Sequence, residues 1–159
     1  MAFRVLDSSA FYAGIPFSSN EPSYITSLVY NEIEHIKKDH DAVRILIETK
    51  RLMISDPEHR FIITANNAAK KSGDFPNLSD EDISTIALSL QLKAELVTDD
   101  FAISNVAKNL SIKVIPVMTS GIKNVIIWKY YCPGCKTDFS KVTECPRCGN
   151  RLKRKPMKN

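Results

Sequence analysis

Apolar residues recur along the first 117 positions in short blocks that switch between strand and helix spacing. Phe3, Val5 and Leu6 predict a short buried strand that closes on Asp7, with Ser8 and Ser9 placed to open a turn or cap a helix. Tyr24 to Lys38 reads as a helix: Val29, Ile33 and Ile36 form one stripe with Leu28 beside it, and Ser23, Thr26 and Ser27 offer caps. Glu32 falls at the edge of that apolar face, four residues from both Leu28 and Ile36. Asp41 to Lys50 predicts a second helix around Val43, Ile45, Leu46 and Ile47. Leu52-Met53-Ile54 is a strand, closed by Asp56-Pro57.

Phe61 to Lys71 is weakly helical, and Lys70 to Asn77 reads as the mobile loop of this region. Ser79-Asp80-Glu81-Asp82 then starts a clear helix with Ile83, Ile86, Ala87 and Leu90 inside; Ser79 with Asp82 has the spacing of a capping box. Leu96-Val97 is a strand ended by Thr98-Asp99-Asp100. A helix follows through Val106 and Leu110, then a strand at Val114 to Val117. Alternating strands and helices predict an α/β sandwich of three layers with a mostly parallel central sheet. Its boundary falls near Thr119-Ser120-Gly121.

Composition adds a second module. The 159-residue chain is 43% hydrophobic, and no apolar run reaches the roughly 18 residues of a membrane span. An Asp at position 7 speaks against a leader peptide, so a cytoplasmic location without membrane contact is expected. Charge is split: residues 1–122 carry 12 Lys/Arg against 16 Asp/Glu, and residues 123–159 carry 10 against 2. A body at −4 and an end at +8 point to an acidic partner for that end, nucleic acid first, with a solvated lysine tail as the plainer reading of the last five residues.

All four cysteines fall in the basic end. Cys132-Pro133-Gly134-Cys135 and Cys145-Pro146-Arg147-Cys148 make two C-x2-C knuckles, which predict one structural Zn²⁺ with no open coordination position. So short a segment buries little core, so the metal supplies much of its folding energy, with Phe139 and Val142 packed beside it. Trp128-Lys129-Tyr130-Tyr131 precedes the first knuckle; these aromatics either stack bases or pack the module onto the body. Lys129, Lys136, Lys141, Arg147, Arg151, Lys153, Arg154 and Lys155 supply attraction to phosphate, with Tyr130 as a stacking candidate. The expected layout is a body over 1–120, a linker at 121–127, a zinc ribbon at 128–152 and a basic tail at 153–159.

In a parallel sheet the strand ends and the starts of the following helices share one edge, so Asp7, Asp82 and the Thr98-Asp99-Asp100 group are candidates to converge there. Carboxylates in one cleft repel each other unless a cation neutralises them, and hard oxygen donors suit Mg²⁺ or Mn²⁺. A phosphatase with a nucleophilic Asp7 would want a second Asp two residues on, and position 9 is Ser.

Val5-Leu6-Asp7-Ser8-Ser9-Ala10-Phe11, then Glu32, then Leu78 to Asp82 with Ile86-Ala87, then Leu96 to Phe101 resemble in order and spacing the motifs of a PIN-domain ribonuclease. The resemblance implies a metal-dependent endonuclease centred on Asp7, Glu32, Asp82 and Asp100. Asp7, Asp82 and Asp100 would then be Mg²⁺ or Mn²⁺ ligands and Glu32 would stand at the rim. Asp99 would be an extra acid that helps the metal or caps a helix, and Thr98 would orient the carboxylates. A PIN domain followed by a zinc ribbon is similar to the archaeal Nob family. That likeness implies cleavage of precursor small-subunit ribosomal RNA at its mature 3′ end, on a pre-ribosomal particle and beside a KH-domain assembly factor. Eukaryotic relatives are longer, so the likeness points to an archaeal source. A toxin-like PIN nuclease for other RNA and a non-catalytic RNA-binding scaffold remain the alternatives.

Overall fold

The structure is a computed structural model that describes residues 3–36, 40–118, 121–122, 124–139 and 144–157. Lys37, Lys38, Thr119, Ser120, Lys141 and Val142, to which expectations were attached, lie outside the described residues.

Strands β1 (Arg4–Leu6), β2 (Ser23–Ile25), β3 (Leu52–Ile54), β4 (Glu95–Val97) and β5 (Val114–Ile115) form one sheet in the order β3-β2-β1-β4-β5. Every neighbouring pair is parallel. Helices α1 (Ser8–Tyr12), α2 (Ile15–Ser18), α3 (Ser27–Ile36), α4 (His40–Glu48), α5 (His59–Ser72), α6 (Asp80–Leu92) and α7 (Phe101–Asn109) make the crossovers, with a 3-10 turn at Phe75–Asn77. Both faces are covered. Val5 and Leu96 pack with Ile83, Ile86, Ala87, Ile103 and Val106, whereas Leu6 and Val97 pack with Phe11, Ile25, Val29 and Ile33. Adjacent residues of one strand thus feed opposite cores, as the strand period of two requires.

The α/β class and parallel sheet are as the pattern predicts, but four local expectations are corrected. Residues 23–25 are strand rather than the start of a helix; the β2 backbone pairs on both sides, with Ser23 and Ile25 buried. Three residues are too few to show alternation, and the stripe of the following helix hides them. Helices α1 and α2 were not foreseen. Helix α5 is long and regular although its sequence signal is weak, because its inner face is built of Ala65, Ala68 and Ala69, which let it lie close against α6. The 70–77 stretch is not a free loop: Ser72, Gly73 and Asp74 are buried.

The second sheet holds β6 (Trp128–Tyr131), β7 (Asp138–Phe139) and β8 (Lys153–Pro156), in the antiparallel order β7-β6-β8. Lys153 to Pro156, expected in a basic tail whose last five residues are solvated, are instead a strand paired along the whole of β6. Their side chains remain exposed, so the sequence shows no apolar alternation there.

Candidate active site and metal centre

The carboxyl edge of the sheet is where the acids meet. β1 ends on Asp7, which is 4% exposed and caps α1 by accepting the Ala10 amide at 3.0 Å. The same carboxylate accepts the Ser9 hydroxyl at 2.7 Å and the Thr98 hydroxyl from the end of β4. Thr98 Oγ1 in turn accepts the Asp100 amide at 3.0 Å. Asp100 caps α7 through the Ile103 amide at 2.9 Å. One threonine hydroxyl therefore joins the acids of two neighbouring strand ends, Asp7 and Asp100.

Asp82 approaches from α6. Its side chain accepts the Ser79 amide at 2.8 Å while its own amide donates to Ser79 Oγ at 3.2 Å, so the capping box is formed. Asp80, Glu81 and Asp82 all fall in the first turn, where the helix dipole favours negative charge.

The acids feel one another. Burial pushes Asp7 up from the ordinary carboxylate range against its three hydrogen bonds, and Asp100 adds a repulsive push. Burial likewise raises Asp82, with repulsion from Asp100 and Asp7. Glu32 is raised by burial and by Glu81, Asp82 and Asp7, with the Ser8 hydroxyl opposing. Glu32 therefore joins the cluster from α3, half-buried at its rim. Among the described residues none of these four carboxylates forms an ion pair with Lys, Arg or His. Four hard oxygen donors with no cation among their partners suit a divalent ion such as Mg²⁺ or Mn²⁺.

Asp99 lies apart from that role. Both its oxygens accept backbone amides, Val117 at 2.8 Å and Met118 at 2.7 Å, so it fastens the chain that leaves β5. It does not cap α7, which Asp100 does. Sequence reasoning passed over Ser8 as a partner of Glu32 and Glu81 as a further charge on the cluster. The signal was available: Glu81 sits beside Asp82 in the same first turn.

In the second module the four cysteine sulfurs all lie within 4.8 Å of one another, and Cys135 and Cys145 are 3.6 Å apart. A tetrahedral Zn²⁺ with bonds of about 2.3 Å requires sulfurs separated by about 3.8 Å, so the set could close around one ion with shifts of about an ångström or less. Thr137 beside its sulfur draws Cys135 down to about 6, whereas Cys148 is pushed up to about 12 chiefly by its hydrogen bond with Cys135.

The basic residues divide into two groups. Lys136, Arg147, Arg151, Lys153 and Arg154 are exposed. Lys129 is paired with Asp138 at 2.8 Å, with Lys155 near the same carboxylate at 3.8 Å. Tyr130, expected to stack bases, points its hydroxyl into the body and donates to the Gly73 carbonyl. Trp128 packs on Phe101 with ring centroids 6.3 Å apart, and the Arg154 guanidinium lies 4.2 Å from its ring centre. Of the two readings of these aromatics, packing onto the body describes Trp128 and Tyr130.

Acids at the carboxyl edge of a five-stranded parallel sheet, followed by a four-cysteine module, define a PIN-type nuclease with an added ribbon whose cysteines could hold a metal ion. Residues 5–92 match the family described as the PIN domain of ribonuclease. Over 157 residues the chain is 33% identical to an endoribonuclease Nob1 of Pyrococcus abyssi, covering 97% of this chain and 94% of that one. It is 37% identical to an endoribonuclease Nob1 of Methanocaldococcus jannaschii, covering all of this chain and 80% of the relative. Among solved structures it is similar to a PilT N-terminus domain protein of Sulfolobus solfataricus, with a TM-score of 0.48 and 21% identity over 72% of this chain and 87% of the other. The chain belongs to the Nob1 endoribonuclease family of PIN-domain ribonucleases.

Proposed function

We propose that this chain is a Mg²⁺- or Mn²⁺-dependent endoribonuclease that matures the 3′ end of precursor small-subunit ribosomal RNA. The observation that carries the proposal is the acidic cluster itself: Asp7, Glu32 and Asp82 all raised above the ordinary carboxylate range, with no cation among the described residues to offset them. The similarity to Nob1 endoribonucleases along the whole chain supports an RNA substrate, and the ribosomal 3′ end is the reading that the family resemblance adds.

Asp7, Asp82 and Asp100 would hold the divalent ion, with Glu32 at the rim. The chemistry such an ion would supply there is Lewis-acid polarisation of a phosphodiester and a lowered pKa for a water. The residues of the chain do the placing. Thr98 and Ser9 hold the Asp7 carboxylate in one orientation, and the α6 and α7 amino termini fix Asp82 and Asp100 through their caps. Glu32, with its proton affinity raised, is the group suited to take a proton from the attacking water. Cys132, Cys135, Cys145 and Cys148 would bind one structural Zn²⁺. Lys136, Arg147, Arg151 and Lys153, with Lys129 at their edge, would hold the RNA. A cytoplasmic pre-ribosomal particle, with a KH-domain assembly factor beside it, is the setting this activity fits. Among the described residues no helix is long and apolar enough to cross a membrane.

The test uses an RNA that spans the 3′ end of small-subunit ribosomal RNA and its trailer. With Mn²⁺ the wild-type chain should cut at the mature end; a chelator or Asp7→Asn should abolish the product. Cutting by Asp7→Asn at the wild-type rate would overturn the assignment of the centre.

A further inference from the structure

The junction between body and ribbon is built around a carboxylate that the proposed chemistry does not use. Asp74 is 0% exposed. It follows α5 and accepts the Ser72 hydroxyl at 2.7 Å and the Asn105 amide nitrogen at 2.6 Å. Asn105, fully buried on α7, treats the incoming chain as a neighbouring strand would: its Nδ2 donates to the Ile126 carbonyl at 2.6 Å and its Oδ1 accepts the Ile126 amide at 2.7 Å. Asp74 Oδ1 and Trp128 Nε1 are both buried and both outside hydrogen-bond geometry, and the indole N–H is near enough to favour the Asp74 anion. Burying such groups is costly unless they are paired, so the junction is sensitive to small displacements.

The neighbouring contacts leave no slack. Gly73 has φ +82°, and a Cβ there would lie 2.6 Å from the Trp128 carbonyl oxygen. Tyr130 donates to the Gly73 carbonyl, so β6 is held at two points two residues apart. Trp128 reaches Phe101 on one side and Arg154 of β8 on the other. Phe101 directly follows Asp100, and Asn105 lies about 7.5 Å further along the same helix. One rigid helix therefore bears an acid of the centre at its start and the anchor of the ribbon in its middle.

We propose that Asp74 is a positioning residue: with Ser72, Asn105 and Trp128 it latches the basic ribbon onto the nuclease body in one place. The latch thereby sets which phosphodiester of a ribbon-held RNA reaches the acids. This rests on the nuclease reading above and deepens it. A polar latch suits the task because directional bonds fix one seating, where an apolar contact tolerates sliding. The ribbon grips phosphates without regard to sequence, so the cut position depends on the distance between grip and centre.

The test is made on the full zinc-loaded chain with Asp74→Ala and, independently, Asn105→Ala. Trp128 is the only tryptophan of the sequence, so its emission reports seating of the ribbon directly. Both variants should shift that emission to the red. On the ribosomal RNA substrate they should spread the product ends over several neighbouring bonds where the wild type gives one. A short RNA that cannot reach the ribbon should be cut within about twofold of the wild-type rate, because the acids are intact. Asp74→Asn, which keeps size and one acceptor, should restore most of the single end. A red-shifted variant that still cuts at the wild-type bond overturns the positioning role, and unshifted emission in both variants overturns the latch. Those outcomes leave nuclease activity, read by the loss in Asp7→Asn, standing. A wild type that cuts no RNA sinks the nuclease reading and the latch's role in it together.

Discussion

At the scale of single residues the acidic centre depends on hydroxyls as much as on carboxylates. Thr98 and Ser9 accept or donate for Asp7, Asp99 and Asp100 together. Such bonds hold Asp7 in place but do not offset its burial, so its pKa still rises. The sign of the consequence is set by direction. A carboxyl whose folded pKa is raised stabilises the fold below the ordinary carboxylate range, and that stabilisation is lost as pH rises through the raised value. A divalent ion must displace those protons, so its stabilising effect grows over the same pH range. The rise in melting temperature on adding Mn²⁺ should therefore be small near pH 5 and larger near pH 7.5. The increment is the quantity to compare, because Glu95 and Asp138, held low by Lys113 and Lys129, shift the baseline the other way in acid. Equal increments at the two pH values, measured by scanning calorimetry with and without Mn²⁺, would show that Asp7 and Asp82 are not the binding groups.

At the scale of elements, each acid of the cluster except Glu32 is also an N-cap or capping-box residue, which explains what the sequence could and could not reveal. Asp7, Asp82 and Asp100 were legible because strand ends and helix starts have local signatures: Val5-Leu6 before Asp7, the capping-box spacing of Ser79 before Asp82, and Leu96-Val97-Thr98 before the Asp99-Asp100 pair. Glu32 was visible as an acid at the edge of a stripe. Its partner Ser8 was not, since nothing local says which turn of α3 faces the start of α1, whereas Glu81 could have been read from its place beside Asp82. Strand β2 was hidden by brevity, and α5 by using alanines where the pattern looks for larger apolar residues. The dual use of Asp82 can be separated. Asparagine caps helices as well as aspartate does, so Asp82→Asn keeps an acceptor for the Ser79 amide. Its melting temperature should stay within about 2–4 °C of wild type, equivalent to about 1 kcal/mol. Cutting should nonetheless fall by about a hundredfold or more, as for loss of a group that stabilises transition-state charge. A variant that melts far lower would place Asp82 in the fold first.

At the scale of the whole molecule, the charge is split between an acidic body and a basic ribbon, and the proposed function gives chemistry to the first and grip to the second. The two apolar clusters of the body draw only on residues up to Val117, so its core is complete without the ribbon. The ribbon has three short strands, and the binding free energy of a structural zinc, about 10–16 kcal/mol, is what holds such a unit folded. Removing the metal with a chelator should therefore unfold residues 128–156 and leave the five-stranded sheet, read as retained helical circular dichroism with a red shift of Trp128. RNA affinity separates the roles further. Among the described residues six exposed cations, Lys136, Arg147, Arg151, Lys153, Arg154 and Lys155, lie on the ribbon. If three to five of them meet phosphates of a single strand, log K should fall against log[salt] with a slope of about −2 to −3.5. Chelation should bring that slope towards zero, because the body left behind carries net negative charge and repels the strand. A slope that survives chelation would place the grip on the body, where Lys70, Lys71 and Arg60 are the exposed cations to replace next.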